Sequence, residues 1–97
     1  MQVTDIKEDY FKNPMWTLYI IRLNDNSLYT GITKDLNRRM KQHSEGKGSK
    51  YVRTRLPLEV VHIEEYENRS EASKREAEVK KMSKVEKEKL VNGDFYY

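Results

Sequence analysis

Five residues able to handle a phosphodiester recur along this chain at intervals that can converge: Tyr19, Tyr29, Arg39, His43 and Glu76. On one surface they would make a metal-assisted phosphodiesterase site. A glutamate oxygen suits a hard divalent cation. That cation and an arginine would neutralise the charge that builds on a pentavalent phosphate. A tyrosine hydroxyl is too weak an acid near neutrality to act alone, but it can orient or deprotonate water if a histidine takes its proton. By residue type, either tyrosine qualifies. Each group also has an ordinary alternative: strand tyrosines pack, a helix arginine is solvated, and Glu76 can pair with Lys80 one turn on.

The elements around these residues must therefore bring them together. Trp16 to Leu23 is aromatic and β-branched throughout and apolar on both faces, which predicts a strand in the middle of a sheet. Asn24-Asp25-Asn26 is the turn, and Leu28 to Ile32 the returning strand. A loop of two or four residues would put Tyr19 and Tyr29 on opposite faces. A three-residue loop, ending in a left-handed residue for which Asn26 is best suited, pairs Ile21 with Tyr29 and Tyr19 with Gly31. That register is the expectation, with Gly31 leaving a gap beside Tyr19 for a phosphate.

A helix follows, capped at Thr33 and running to about Glu45, with Gly46 as its stop. Leu36, Arg39, Met40 and His43 share one face of it, while Arg38 and Lys41 point elsewhere. Residues 46–55 read as a glycine-loosened basic loop. There Lys50, Tyr51, Arg53 and Arg55 have the composition of a platform that grips a nucleic-acid strand. Leu58 to Tyr66 is the third strand. Ser70 caps a helix to about Met82 whose buried face, Ala72, Val79 and Met82, is bordered by Glu76 on one side and Arg75 on the other, and Ser83 opens a last helix to about Val91. The organisation is an N-terminal extension (1–14, where Ile6, Tyr10 and Phe11 allow one docking turn), a domain over 15–91 and a tail over 92–97.

Composition bounds the reading. A chain of 97 residues leaves room for one modest core. Its net charge of 19 − 16 = +3 is mild, but seven of its cations fall between Arg38 and Arg55 against Glu45 alone, which suits an anionic partner. Without cysteine there is neither a disulfide nor a thiolate metal site. No apolar run approaches the roughly 18 residues of a membrane helix, and a cytoplasmic protein without membrane contact is expected.

These stretches resemble the GIY-YIG endonucleases. Leu18-Tyr19-Ile20 stands at the GIY strand (with leucine at the glycine position) and Tyr29-Thr30-Gly31 at the YIG strand. Arg39 to His43 stands at the family's Arg-x-x-x-His helix, and Glu76 at its metal-binding glutamate. The match looks closest to the small stand-alone bacterial (YhbQ-like) branch. It implies an α+β fold, a three-stranded antiparallel sheet flanked by helices in the order ββαβαα. It also implies a nuclease dependent on Mg²⁺ or Mn²⁺, with Glu76 holding the metal, Tyr19 as the base for water, His43 as its proton acceptor and Tyr29 as an orienting partner. DNA, single-stranded or structured, is the expected substrate, RNA stays open, and a monomer or weak dimer is expected. The rival readings are a binding module without turnover and a protein-interaction adaptor on the same scaffold.

Overall fold

A computed structural model of the protein describes residues 15–93, so the expectations for 1–14 and 94–97 lie outside the described residues. Strand β1 (Trp16–Leu23) is central, between β2 (Leu28–Thr33) and β3 (Leu58–Tyr66), both antiparallel to it. Its position follows from its side chains: Leu18 and Ile20 are fully buried on one face, and Tyr19, Ile21 and Leu23 are buried on the other. Burying both faces of a strand needs a neighbour on each side and a layer above and below. Each fully buried Leu or Ile contributes about 1.5–3 kcal/mol.

The hairpin takes the three-residue register. Asn26 has φ 69°, the Asn26 amide donates to the Leu23 carbonyl at 2.8 Å, and the Ser27 amide donates to Asp25 Oδ1 at 3.0 Å. Ile21 therefore faces Tyr29 and Tyr19 faces Gly31. Both tyrosines project from the same side of the sheet.

Helices α1 (Leu36–Ser44) and α2 (Lys50–Arg53) cover that side, where Tyr19, Ile21 and Leu23 join Val52, Leu36 and Met40 in one core. Helices α3 (Arg69–Lys80) and α4 (Lys84–Asn92) cover the opposite side, where Val79 and Leu90 meet Leu18 and Ile20. The α+β class and the three-stranded sheet are as expected, and the element order gains one helical turn. Residues 46–55 are not all loop: Ser49 caps α2, its Oγ accepting from the Val52 amide at 3.4 Å, because the turn lets Val52 bury completely.

Two caps fall two residues from their expected places. Thr33 is still paired with Thr17 as the end of β2, and Asp35 caps α1 by accepting from the Arg38 amide at 3.0 Å. Asn68, not Ser70, caps α3, accepting from the Glu71 amide at 2.9 Å. The last helix opens as expected with Ser83 and Glu86 in a reciprocal capping box, and it closes on Gly93 at φ 74°.

Candidate active site

On the α1 side of the sheet the Tyr19 hydroxyl meets His43 Nε2 at 2.9 Å, with the two rings edge to face at 5.9 Å. Both side chains are 1% exposed. The hairpin register aims Tyr19 at α1, and the helical spacing from Leu36 through Met40 turns His43 inward to receive it. Burial pushes the Tyr19 phenol above its ordinary 10.0, further raised by Tyr29 and Glu76, while the Arg39 guanidinium opposes the rise by favouring the anion. Burial, and then the positive charge of Arg39, push His43 below its ordinary 6.5. The proton therefore rests on the phenol near neutral pH, and the imidazole beside it is uncharged.

Gly31 has a different use from the one expected. A β-carbon there would overlap the Tyr19 hydroxyl oxygen and Cζ, so the phenol itself fills the space that the missing side chain leaves. A second glycine, unforeseen from sequence, does the same for the histidine. A β-carbon on Gly48 would stand 2.5 Å from His43 Nδ1 and 2.8 Å from Cε1. The Gly46–Ser49 link thus closes flat over the imidazole, and Nδ1 is buried without a hydrogen-bond partner among the described residues.

Tyr29 continues the site outward. Its ring meets His43 edge to face at 5.6 Å and stacks on Tyr51 at 6.2 Å and 21°. Tyr51 is 42% exposed, and the Arg55 guanidinium lies 3.7 Å from its ring centroid. Arg55 differs from the free cation expected of it: its Nε donates to Asp25 Oδ2 at 2.9 Å and its guanidinium also donates to the Tyr51 carbonyl at 3.0 Å. Its charge is compensated and its geometry braces Tyr51. Lys50 and Arg53, both exposed on α2, make no ion pair among the described residues.

Arg39 is half-buried between Tyr19 and the surface, its Nε donating to Gln42 Oε1 at 3.2 Å. Beside it opens a pocket of about 390 Å³ that Trp16, Lys34 and Arg38 also line. Arg38 therefore does not point away from the site as its helical position suggested. The signal was present in the pairing of Thr17 with Thr33, which sets the start of β1 against the start of α1.

Glu76 stands on α3, the helix on the opposite side of the sheet from Tyr19, and only its charge is felt there, as the smallest of the influences that raise the phenol. Its side chain is 23% exposed, and its Oε2 pairs with Lys80 Nζ at 3.2 Å, the ordinary i, i+4 arrangement. Among the described residues, no three His, Cys, Asp or Glu side chains converge as a metal cage. A single carboxylate is a poor donor set for zinc, but it matches the way Mg²⁺ is held, by one or two carboxylates with the remaining places taken by water and substrate phosphate.

Known proteins resemble this chain in sequence and in fold. The model of the GIY-YIG catalytic domain matches residues 15–89. A UPF0213 protein of Staphylococcus epidermidis is 47% identical over 74 residues, which are 76% of this chain and 90% of that protein. A UPF0213 protein of Staphylococcus aureus is 45% identical over the same shares. The solution NMR structure of a UPF0213 protein of Bacillus halodurans is similar with a TM-score of 0.54 and 42% identity, covering 80% of this chain and 83% of that one. No described helix is long and apolar enough to cross a membrane. With its paired tyrosines, its arginine–histidine helix and its glutamate helix on one sheet, and with these relatives, the chain belongs to the GIY-YIG family, beside the small UPF0213 proteins.

Proposed function

We propose that the protein is an endonuclease that hydrolyses phosphodiester bonds of DNA with the help of a divalent cation, Mg²⁺ or Mn²⁺. The observation that carries this reading is the 2.9 Å contact between Tyr19 and His43, buried and flanked by Arg39. A phenol held above its ordinary pKa cannot serve as a standing tyrosinate. It can serve as a relay: as water attacks phosphorus, its proton passes to the Tyr19 oxygen while the Tyr19 proton passes to His43 Nε2. The P–O bond to the leaving oxygen breaks in the same displacement. The depressed pKa of His43 keeps it ready to accept a proton near neutrality. Arg39 stabilises charge on the phosphate, and the same guanidinium favours transient anionic character on Tyr19. Tyr29 and Gly48 hold the imidazole in place. Glu76 is the residue that would hold the cation, whose contribution when bound is to polarise the phosphate and neutralise its charge. Lys50 and Arg53 supply two uncompensated cations for the strand beside the exposed part of Tyr51, whose ring is flanked by Tyr29 and braced by Arg55.

The Glu76–Lys80 pair favours one second reading, a nucleic-acid-binding module without turnover, since a carboxylate already neutralised by lysine attracts a cation less strongly. A cleavage screen separates the two. Single-stranded, duplex and branched DNA are incubated with the protein in Mg²⁺, in Mn²⁺ and in EDTA, with an RNA strand alongside. Metal-dependent cutting of any of the DNA substrates supports the nuclease. Salt-dependent binding without cutting in any condition supports the module.

A further inference from the structure

The pocket beside Arg39 holds residues that the proposed chemistry does not use. Trp16 forms one wall, and Lys34, Arg38 and Arg39 bring three cations to it. Among the described residues, neither Lys34 nor Arg38 makes an ion pair. Among the described residues that line the pocket the one carboxylate, that of Asp35, is engaged in capping α1 through the Arg38 amide. The guanidinium of Arg69, from the start of α3, stands 5.6 Å from the Trp16 ring centroid and braces the indole. A half-buried indole beside uncompensated cations is the composition on which a base can stack while its phosphate is neutralised. A volume of about 390 Å³ falls within the range of small-ligand sites, roughly 300–1,000 Å³.

Resting on the nuclease reading, we infer that this pocket is a nucleotide subsite: a nucleobase lies against Trp16 while the phosphate of the same nucleotide is held by Lys34 and Arg38. Arg39 both lines the pocket and acts on the Tyr19 hydroxyl, so the nucleotide bound here is the immediate neighbour of the bond to be cut. Tyr51, Lys50 and Arg53 lie beyond Tyr29 on the other flank of the Tyr19–His43 pair. The strand is thereby gripped on both sides of the reacting phosphate, by an indole with cations on one and by the cations of α2 on the other. Two unlike grips also give the strand a fixed direction across the site, which a symmetrical patch of lysines would not.

The test uses Trp16 as its own reporter, since it is the single tryptophan of the chain. The wild-type protein in EDTA is titrated with an oligothymidylate of about eight nucleotides, within the site size of a small strand-binding domain, and with an abasic strand carrying the same phosphates. The base-bearing strand is expected to quench the tryptophan emission saturably, and the abasic strand to bind with little quenching. The Lys34→Ala/Arg38→Ala protein is expected to bind about tenfold more weakly, with a salt slope shallower by roughly 0.7 for each phosphate that the two cations no longer neutralise. Equal quenching by both strands overturns the base contact. If the strand is bound and, with Mg²⁺, cut while Trp16 emission stays constant and the double variant keeps wild-type affinity and slope, the subsite falls and the nuclease reading stands. If no strand is either bound or cut, both fall together.

Discussion

Gly48 lies flat against the imidazole of His43, so that any β-carbon at that position would stand 2.5 Å from Nδ1. The ring cannot swing away, since Tyr19 and Tyr29 meet it edge to face and it is 1% exposed. Gly48→Ala is therefore expected to cost about 1–3 kcal/mol, the usual range for overpacking. It should also displace Nε2 from Tyr19 and slow any cleavage toward the level of His43→Ala. The contact is local, so the same glycine substitution made in His43→Ala should cost almost nothing. Denaturant unfolding of the four proteins in this cycle checks it. Equal costs in both backgrounds would show that Gly48 acts through the backbone of its link and not through the histidine.

The pH dependence follows from the same pair. His43 has its pKa lowered below 6.5 in the folded protein by burial and Arg39, while the unfolded chain titrates near 6.5. Below that value the unfolded state binds more protons, so His43 contributes stability that is fully present above pH 6.5 and is lost as pH falls through its folded pKa. Cleavage should lose its proton acceptor over that same acid range and hold level above it until other groups titrate. Rate–pH profiles and NMR titration of the His43 ring protons should report a common midpoint below 6.5. A midpoint above 6.5 would contradict the burial argument.

A stability tie with no part in the chemistry holds α3 to β3. Burial by itself would raise the Glu64 carboxyl, but hydrogen bonds from Arg75, Tyr66 and His62 outweigh it and bring Glu64 to about 2. Arg75 grips it with two nitrogens, at 2.9 and 3.1 Å. Arg75→Met should destabilise the fold by about 1.5–3 kcal/mol, the range for hydrogen bonds to a charged group. Because the Glu64 pKa is depressed, this contribution is present above roughly pH 4.5 and disappears as pH falls through about 2. Urea midpoints at neutral and acid pH should converge for variant and wild type. A constant gap would place the loss in packing rather than in charge.

Glu76, on α3, is the carboxylate proposed to hold the cation, and its charge raises the Tyr19 phenol. Glu76→Ala should abolish metal-dependent cleavage and leave DNA affinity in EDTA equal to wild type or higher, because a negative charge near Arg39 has gone. It also frees Lys80, whose pair with Glu76 is a half-exposed i, i+4 contact worth only a few tenths of a kcal/mol. Cleavage assays and thermal melts decide it. Full activity of Glu76→Ala would remove this residue from the chemistry.

Much of this arrangement was legible in the chain because a few residues favour one conformation over the others. Asn26 is the turn residue best suited to a left-handed conformation, and once it takes one, the alternation of β1 and β2 puts Tyr19 and Tyr29 on one face. The opening of α4 at Ser83 was legible because Ser83 and Glu86 signal each other. The caps of α1 and α3 were misplaced because Thr33, Asp35, Asn68 and Ser70 are all competent cap residues, and the choice depends on where the preceding strand lets go. Helix α2 was read as loop because only the burial of Val52 justifies its single turn. A sequence shows that glycine lacks a side chain, not what takes the space, so the Tyr19 ring over Gly31 and the Gly48 wall on His43 came from the structure alone. The Trp16 pocket needed the closed sheet, which brings the start of β1 to the start of α1.

The central claim is that the Tyr19 hydroxyl, bonded to His43, relays the proton of the attacking water. Tyr19→Phe keeps the ring on Gly31 and removes one oxygen. Because that oxygen is the partner of a buried His43 Nε2, the change should cost about 1–3 kcal/mol of stability, the penalty for an unsatisfied buried group. Tyr29→Phe keeps both ring contacts, to His43 and to Tyr51, and should slow the reaction less. The decisive measurement is the single-turnover cleavage rate of Tyr19→Phe against wild type on a substrate found by the screen, in Mg²⁺ and at a temperature where both are folded. A fall of at least about 10²-fold is predicted, the lower end of the range for losing a general base. A rate equal to wild type would contradict the relay.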